Sequence, residues 1–99
     1  MEHRVIAHYR LGDEGFGDRA QRQTVFNTQQ RLRAAVEQAG VGEVDGNEFG
    51  GGRVAIYAYG QDADALFAVM ERELRALPLR PAYVYLDYGD DSEGTRIDL

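Results

Sequence analysis

Three segments of this chain have the residue types and lengths of β-strands, and they constrain the fold more than any other feature. The segments are 3–11, 53–59 and 82–88, and the first alternates apolar and polar residues with a period of two. Successive side chains of a β-strand point to opposite faces, so this pattern predicts a strand with one buried face. A weaker strand is predicted over 43–49, where Gly46 indicates a bulge. Gly50-Gly51-Gly52 then favours a hairpin, because a short glycine turn commonly joins two antiparallel strands.

Two segments have helical periodicity instead. The first covers 18–39, with Asp18 as N-cap and Gly40 in the left-handed position that ends many helices. The second covers 62–77 and is stopped by the prolines that follow it. The apolar stripes that these helices would bury are Val25, Leu32, Val36 and Ala39 beside Phe26, and Leu66, Met70, Leu74 and Leu77 beside Phe67.

The predicted element order is strand, helix, strand, strand, helix, strand. It predicts a single α+β domain over 1–99, with two helices on one face of an antiparallel sheet. This order resembles the ferredoxin-like βαββαβ arrangement, which implies the strand order 4-1-3-2. Residues 95–99 could add a short fifth strand at an edge, and a small swapped or barrel-like dimer is the alternative architecture.

The run from Val44 to Phe67, VDGNEFGGGRVAIYAYGQDADALF, resembles a pattern found in small bacterial proteins of uncharacterised function. The resemblance rests on Asp45-Gly46-Asn47-Glu48, the three glycines, Tyr57 to Gly60, and Asp62. It covers about a quarter of the chain and implies no activity.

Composition and charge limit the classes of function. The chain has no cysteine, which excludes disulfides, thiolate metal sites and a cysteine nucleophile. It has no apolar stretch long enough for a membrane span or a signal peptide, so a cytoplasmic location is expected. The net charge of −6 is concentrated after residue 40, where five Arg face twelve acidic residues. This balance disfavours nucleic acid and is compatible with a basic protein partner.

The sheet face that the helices leave uncovered is the most informative surface, and we call it the open face. Alternation assigns it Arg4, Ile6, His8, Arg10, Ala55, Tyr57, Tyr59, Tyr83, Tyr85 and Asp87. Tyrosine and arginine are enriched in protein interfaces, which favours an interaction surface, most commonly with a second copy. A ligand-binding or catalytic surface is the second interpretation. The third is that the tyrosines only satisfy strand propensity.

RNA-recognition domains share this architecture and stack bases on aromatic residues of their two central strands. Here Ile6 and His8 stand in place of an aromatic pair on the first strand. Together with the acidic balance, this argues against nucleic acid.

For a catalytic domain, His8 would be the first candidate, because its pKa lies near neutrality and Asp87 on the adjoining strand could orient it. His3 is an odd number of residues away and should lie on the other face. The carboxylates Asp45, Glu48 and the cluster Asp90-Asp91-Ser92-Glu93 match no calcium loop. Gly50-Gly51-Gly52 leads into a strand and has no following Lys, so it is no phosphate loop.

The sequence therefore predicts a non-enzymatic protein-interaction or regulatory module. It is expected to form a homodimer through the open face or the hairpin edge, with a basic protein as a further candidate partner. No catalytic residue, metal or cofactor is expected. The candidate interface or ligand residues are Arg4, His8, Arg10, Tyr57, Tyr59, Tyr83, Tyr85 and Asp87. The alternative function is a small ligand-binding or catalytic domain with a pocket around His8.

Overall fold

Two helices and five strands are formed by the residues that the computed structural model describes, which are 2–12, 15, 17–89 and 93–99. In chain order the elements are β1 (His3–Arg10), α1 (Arg19–Ala39), β2 (Glu43–Gly50), β3 (Arg53–Gly60), α2 (Ala63–Ala76), β4 (Ala82–Asp87) and β5 (Thr95–Asp98).

The five strands form one antiparallel sheet in the order β2-β3-β1-β4-β5. The predicted α+β class with two helices and an antiparallel sheet is confirmed. The first four strands, read from the opposite edge, keep the expected order 4-1-3-2. The sheet differs from a four-stranded ferredoxin-like sheet because β5 is added beside β4, with Thr95 opposite Leu86 and Asp98 opposite Tyr83. The last residues therefore pair within the chain.

The hydrophobic core lies between the helices and one face of the sheet. Alternation assigns nine strand residues to this face, and Tyr88 among them is only partly buried. The other eight are buried: Val5, Ala7, Tyr9, Val54, Ile56, Ala58, Val84 and Leu86. The apolar stripe predicted for α2 and the residues after it is also buried: Leu66, Phe67, Met70, Leu74 and Leu77. Burial of these side chains supplies most of the driving force for folding.

The stripe predicted for α1 is partly wrong. Ala39 is exposed and Phe26 is 48% exposed, whereas the polar residues Thr28 and Gln29 are buried. Gln29 can be buried because its side-chain oxygen accepts a hydrogen bond from the side-chain amide of Asn47 on β2. The apolar periodicity of α1 alone cannot reveal this polar link between the helix and the edge of the sheet.

The helix ends follow local sequence chemistry. Asp18 and Gln21 form a reciprocal capping box at the start of α1, and Gly40 ends that helix with φ 67°. Asp62 accepts from the N–H groups of Asp64 and Ala65 at the start of α2. These caps satisfy backbone groups that a helix end leaves unpaired, and they confirm the predicted positions of the ends.

The β2–β3 hairpin turns through two glycines, Gly51 at φ 60° and Gly52 at φ 76°. Positive φ at both central residues is what a two-residue type I′ turn requires. The predicted bulge is present as a shift in register between Val44 and Gly46. The hairpin tip is fixed to the end of β1 because Leu11 N–H donates to the Gly52 carbonyl at 2.8 Å.

Candidate functional site

The strand register places all eight candidate residues on the open face. Arg4, His8 and Arg10 lie along β1, and the tyrosines and Asp87 lie on the strands at either side. The register adds further residues to the same face, namely Glu43, Glu48, Arg53, Arg96 and Asp98. The open face therefore has an acidic margin on β2 and several arginines near the end of β1.

An apolar row crosses the middle of the open face. Ile6 lies directly opposite Tyr57 on one side and Tyr85 on the other, so three neighbouring strands contribute to it. Tyr85 is 38% exposed, while Ile6 and Tyr57 are partly buried. No helix of the described part of the chain covers this row, because both helices pack on the opposite face.

The predicted orientation of His8 by Asp87 is wrong. Asp87 lies directly opposite Arg4 and accepts from both the Nε and an Nη of its guanidinium, with 3.0 Å between Nε and Oδ2. The bonds from Arg4, followed by that from the Gly89 N–H, hold the pKa of Asp87 below its ordinary value. Residue alternation could show only that Asp87 and His8 share a face. The register separates them, because Tyr83 rather than Asp87 is the residue opposite His8.

His8 belongs to a stack of three planar groups. Its imidazole lies against the ring of Tyr83, with 4.7 Å between the centroids and 22° between the planes. The guanidinium carbon of Arg96 lies 3.9 Å from the centroid of the same Tyr83 ring. Since β1 and β5 lie on opposite sides of β4, His8 and Arg96 flank Tyr83. Stacking and cation–π attraction therefore fix all three side chains.

Burial lowers the pKa of His8 below its ordinary value, and the charges of Arg53 and Arg96 lower it further. These surroundings therefore favour the neutral form of His8. A neutral imidazole has one donor and one acceptor nitrogen, so it can hydrogen-bond a ligand but adds no positive charge.

A cleft of about 480 Å³ opens beside this stack, at the end of the open face where β1 leaves the sheet. We call it the arginine cleft. The histidine and the charged side chains of its described lining are His8, Arg10, Arg53, Arg80, Arg96 and Asp98. Its volume lies within the range typical of small-molecule sites. Among the described residues, four arginine side chains and one acidic side chain line this cleft and make it positive, in a protein whose net charge is −6.

Sequence reasoning missed Arg53, Arg80, Arg96 and Asp98. Strand alternation could have assigned Arg53 to the open face, because Arg53 is two residues from Ala55 on the same strand. Arg96 and Asp98 reach the cleft only through the pairing of β5 with β4, which no local pattern specifies. Arg80 lies in the connection after α2, where no strand or helix periodicity applies.

His3 lies on the covered face, where its Nδ1 accepts a hydrogen bond from the Ala63 N–H at 3.0 Å. Its ring packs edge-on against Tyr88, with 5.4 Å between the centroids. It therefore does not share a site with His8, and its role is to cap the start of α2.

A second and wider depression, of about 1040 Å³, lies at the opposite end of the molecule. Its lining includes Gly42, Gly60 and the carboxylates Glu2, Glu43 and Asp62. Within the described residues, no group of three or more histidines and acidic residues is arranged to hold a metal ion. Asp90, Asp91 and Ser92 of the predicted acidic cluster lie outside the described residues.

No protein-family model and no curated protein matches this chain. In the part of the chain that the structure describes, neither helix has the length and apolar character that crossing a membrane demands.

Proposed function

We propose that this protein is a non-enzymatic interaction module that self-associates through its open face. The observation that supports this most directly is the apolar row of Tyr57, Ile6 and Tyr85 across three central strands. Tyrosine is enriched at the centres of protein interfaces, because its ring supplies apolar area and its hydroxyl a hydrogen bond. We further propose that the fold is ferredoxin-like with an added edge strand. We also propose that the run Val44–Phe67 relates the chain to small bacterial proteins of uncharacterised function.

The size of the open face supports a second copy as the occupant. The five strands have 8, 8, 8, 6 and 4 residues, and at about 3.3 Å per residue and 4.8 Å between strands they present roughly 540 Å² per copy. Two copies would then bury about 1,100 Å² in total, close to the lower limit for a specific interface.

The charges at the two margins of the open face are compatible with a second copy. Glu43 and Glu48 lie along β2 at one margin, and Arg96, which pairs with Asp98, lies on β5 at the other. A two-fold axis parallel to the strands would bring the β2 margin of one copy toward the β5 margin of its partner.

Sedimentation equilibrium of the purified chain and of two serine variants tests the proposal. Tyr85→Ser removes an exposed ring from the open face, and Phe26→Ser removes an exposed ring from α1 as the matched control. We expect Tyr85→Ser to raise the dimer dissociation constant about tenfold or more, and Phe26→Ser to leave it unchanged. A chain that stays monomeric up to about 1 mM would contradict the proposal. So would a dimer that Phe26→Ser weakens and Tyr85→Ser does not.

A second candidate function is binding of a small ligand around His8. The arginine cleft favours it, because its lining converges from β1, β3, β4 and β5 on a volume suited to a small molecule. Saturable binding of a small molecule that shifts the His8 ring resonances would support this function.

A further inference from the structure

We infer that the arginine cleft binds a small phosphate-bearing dianion, either inorganic phosphate or a phosphomonoester. This inference rests on the second candidate function, ligand binding around His8. The two proposals can be tested separately, because Tyr85 of the apolar row is not part of the cleft lining.

The relation between Arg10 and Arg53 is the first argument. The two residues are direct cross-strand partners on β1 and β3, and both line the cleft. Like charges in directly opposite positions of a sheet destabilise it. Neither guanidinium forms an ion pair with a carboxylate within the described residues. An anion held between them would relieve the repulsion and accept hydrogen bonds from both guanidinium groups.

The other charged groups of the cleft are already held in place. Arg96 lies on the Tyr83 ring and its Nε donates to Asp98 at 3.1 Å. Arg80 donates to the backbone carbonyls of Arg75, Leu77 and Leu79 at 2.7–2.9 Å. Because its guanidinium N–H groups are engaged in these bonds, Arg80 contributes positive potential to the cleft rather than free hydrogen-bond donors. A site whose charges are fixed before binding loses little entropy when the ligand arrives.

The charge balance of the cleft favours a dianion over a monoanion. Among the described residues that line the cleft, four arginine side chains face one acidic side chain, that of Asp98, and the surroundings of the partly buried His8 favour its neutral form. A carboxylate ligand offers one charge and two oxygens. A phosphate group offers up to two charges and three or more oxygens, so it can bind the guanidinium groups of Arg10 and Arg53 at the same time.

Titrations followed by NMR test this inference, with the His8 ring resonances and the arginine Nε–H resonances as the signals. The ligands are inorganic phosphate, glycerol phosphate and acetate in phosphate-free buffer. The proteins are the unmodified chain, Arg10→Gln, Arg53→Gln, and Arg72→Gln as the matched control. Arg72 is exposed on α2, so its replacement changes the net charge equally and leaves the cleft intact. The Tyr85→Ser chain is titrated in parallel.

We expect saturable binding of phosphate or glycerol phosphate, with acetate at least about tenfold weaker. Whichever phosphate ligand binds more tightly identifies the source of the phosphate group. Arg10→Gln and Arg53→Gln should each weaken binding about tenfold or more, since each removes a charge-assisted contact. Arg72→Gln should change affinity by less than about twofold, because bulk charge at a distance is screened.

The inference is overturned if neither phosphate ligand saturates the signals below about 10 mM. It is equally overturned if Arg72→Gln weakens binding as much as Arg53→Gln, since the weaker binding would then come from the overall charge of the protein and not from contacts in the cleft. Retention of phosphate binding by Tyr85→Ser separates this site from the proposed dimer, whatever that variant does to self-association.

Discussion

The phenolic hydroxyl of Tyr9 on β1 donates a buried hydrogen bond of 2.6 Å to the backbone carbonyl of Leu74 in the last turn of α2. In an uninterrupted helix this carbonyl would accept from the N–H of the residue four positions later. That residue is Pro78, which has no N–H. Tyr9 therefore satisfies a carbonyl that the helix cannot, and it fixes the end of α2 to the central strand of the sheet.

Replacing Tyr9 with phenylalanine tests this link. The ring would still fill the core, but the Leu74 carbonyl would be buried without a donor. We expect Tyr9→Phe to lower the free energy of unfolding by about 1–3 kcal/mol, measured by urea denaturation. Tyr88→Phe is the matched control, because the Tyr88 hydroxyl bonds Asp64 at 3.1 Å at an exposed site that water can reach. It should change stability by no more than about 0.5 kcal/mol.

Tyr9 also predicts a loss of stability at high pH. Its burial raises its pKa well above the ordinary tyrosine value, against a smaller lowering by the charge of Arg80. The unfolded chain therefore loses the Tyr9 proton first, near pH 10, and the folded state becomes less stable as pH rises further. The stability difference between the unmodified chain and Tyr9→Phe should shrink from about pH 10 upward. If the free energies of unfolding of the two chains change equally with pH above about pH 10, this account is contradicted.

Gly51 supplies a test of the hairpin turn. A Cβ added at this position meets no atom within 4 Å, so only its φ of 60° opposes a side chain. We expect Gly51→Ala to lower the free energy of unfolding by about 1 kcal/mol, because an L-residue is strained in this conformation. Gly51→Asn should recover part of that loss, since asparagine tolerates the left-handed region.

Gly46→Ala is the control for the hairpin test. Gly46 also has open space around its Cα, but its φ is not positive. Alanine there should be neutral or slightly stabilising. Equal losses at Gly46 and Gly51 in urea denaturation would show that the turn conformation is not the cause.

The elements of the fold could be predicted because each is encoded locally. The apolar and aromatic residues of 53–59, the Asp18 cap and the Gly40 helix end each specify structure within a few residues, and the structure confirms each. The covered and open faces of the sheet follow from the same alternation. The exposure of Ala39 and the burial of Gln29 could not be predicted, because they depend on how far α1 extends past the sheet and on the distant Asn47.

The candidate site was predictable as a face but not as a cleft. Alternation placed His8 and Arg10 together on the open face, and the register brought Arg53 and Arg96 beside them. Which residue lies opposite His8 depends on strand register over more than seventy positions. A shift of four residues along β4 would have given the expected His8–Asp87 pair and kept every face unchanged. Long-range register is therefore the information that local patterns lack.

His8 gives the last prediction, a loss of stability on mild acidification. Burial lowers its pKa in the folded state, and the charges of Arg53 and Arg96 lower it further. The unfolded chain then binds this proton first as pH falls below about 6.5, so protonation favours unfolding. The contribution of neutral His8 is present above about pH 6.5 and is lost as pH falls through its folded-state pKa. In His8→Gln this part of the pH dependence should be absent.

Urea denaturation of both chains in steps from about pH 7.5 to pH 5 measures the effect, because other titrating groups are common to both and cancel in the difference. The stability of the unmodified chain relative to His8→Gln should fall as pH is lowered. An NMR titration of the His8 ring gives an independent check. A folded-state His8 pKa at or above about 6.5 would show that the imidazole does not experience the buried, positive surroundings that the arginine cleft provides.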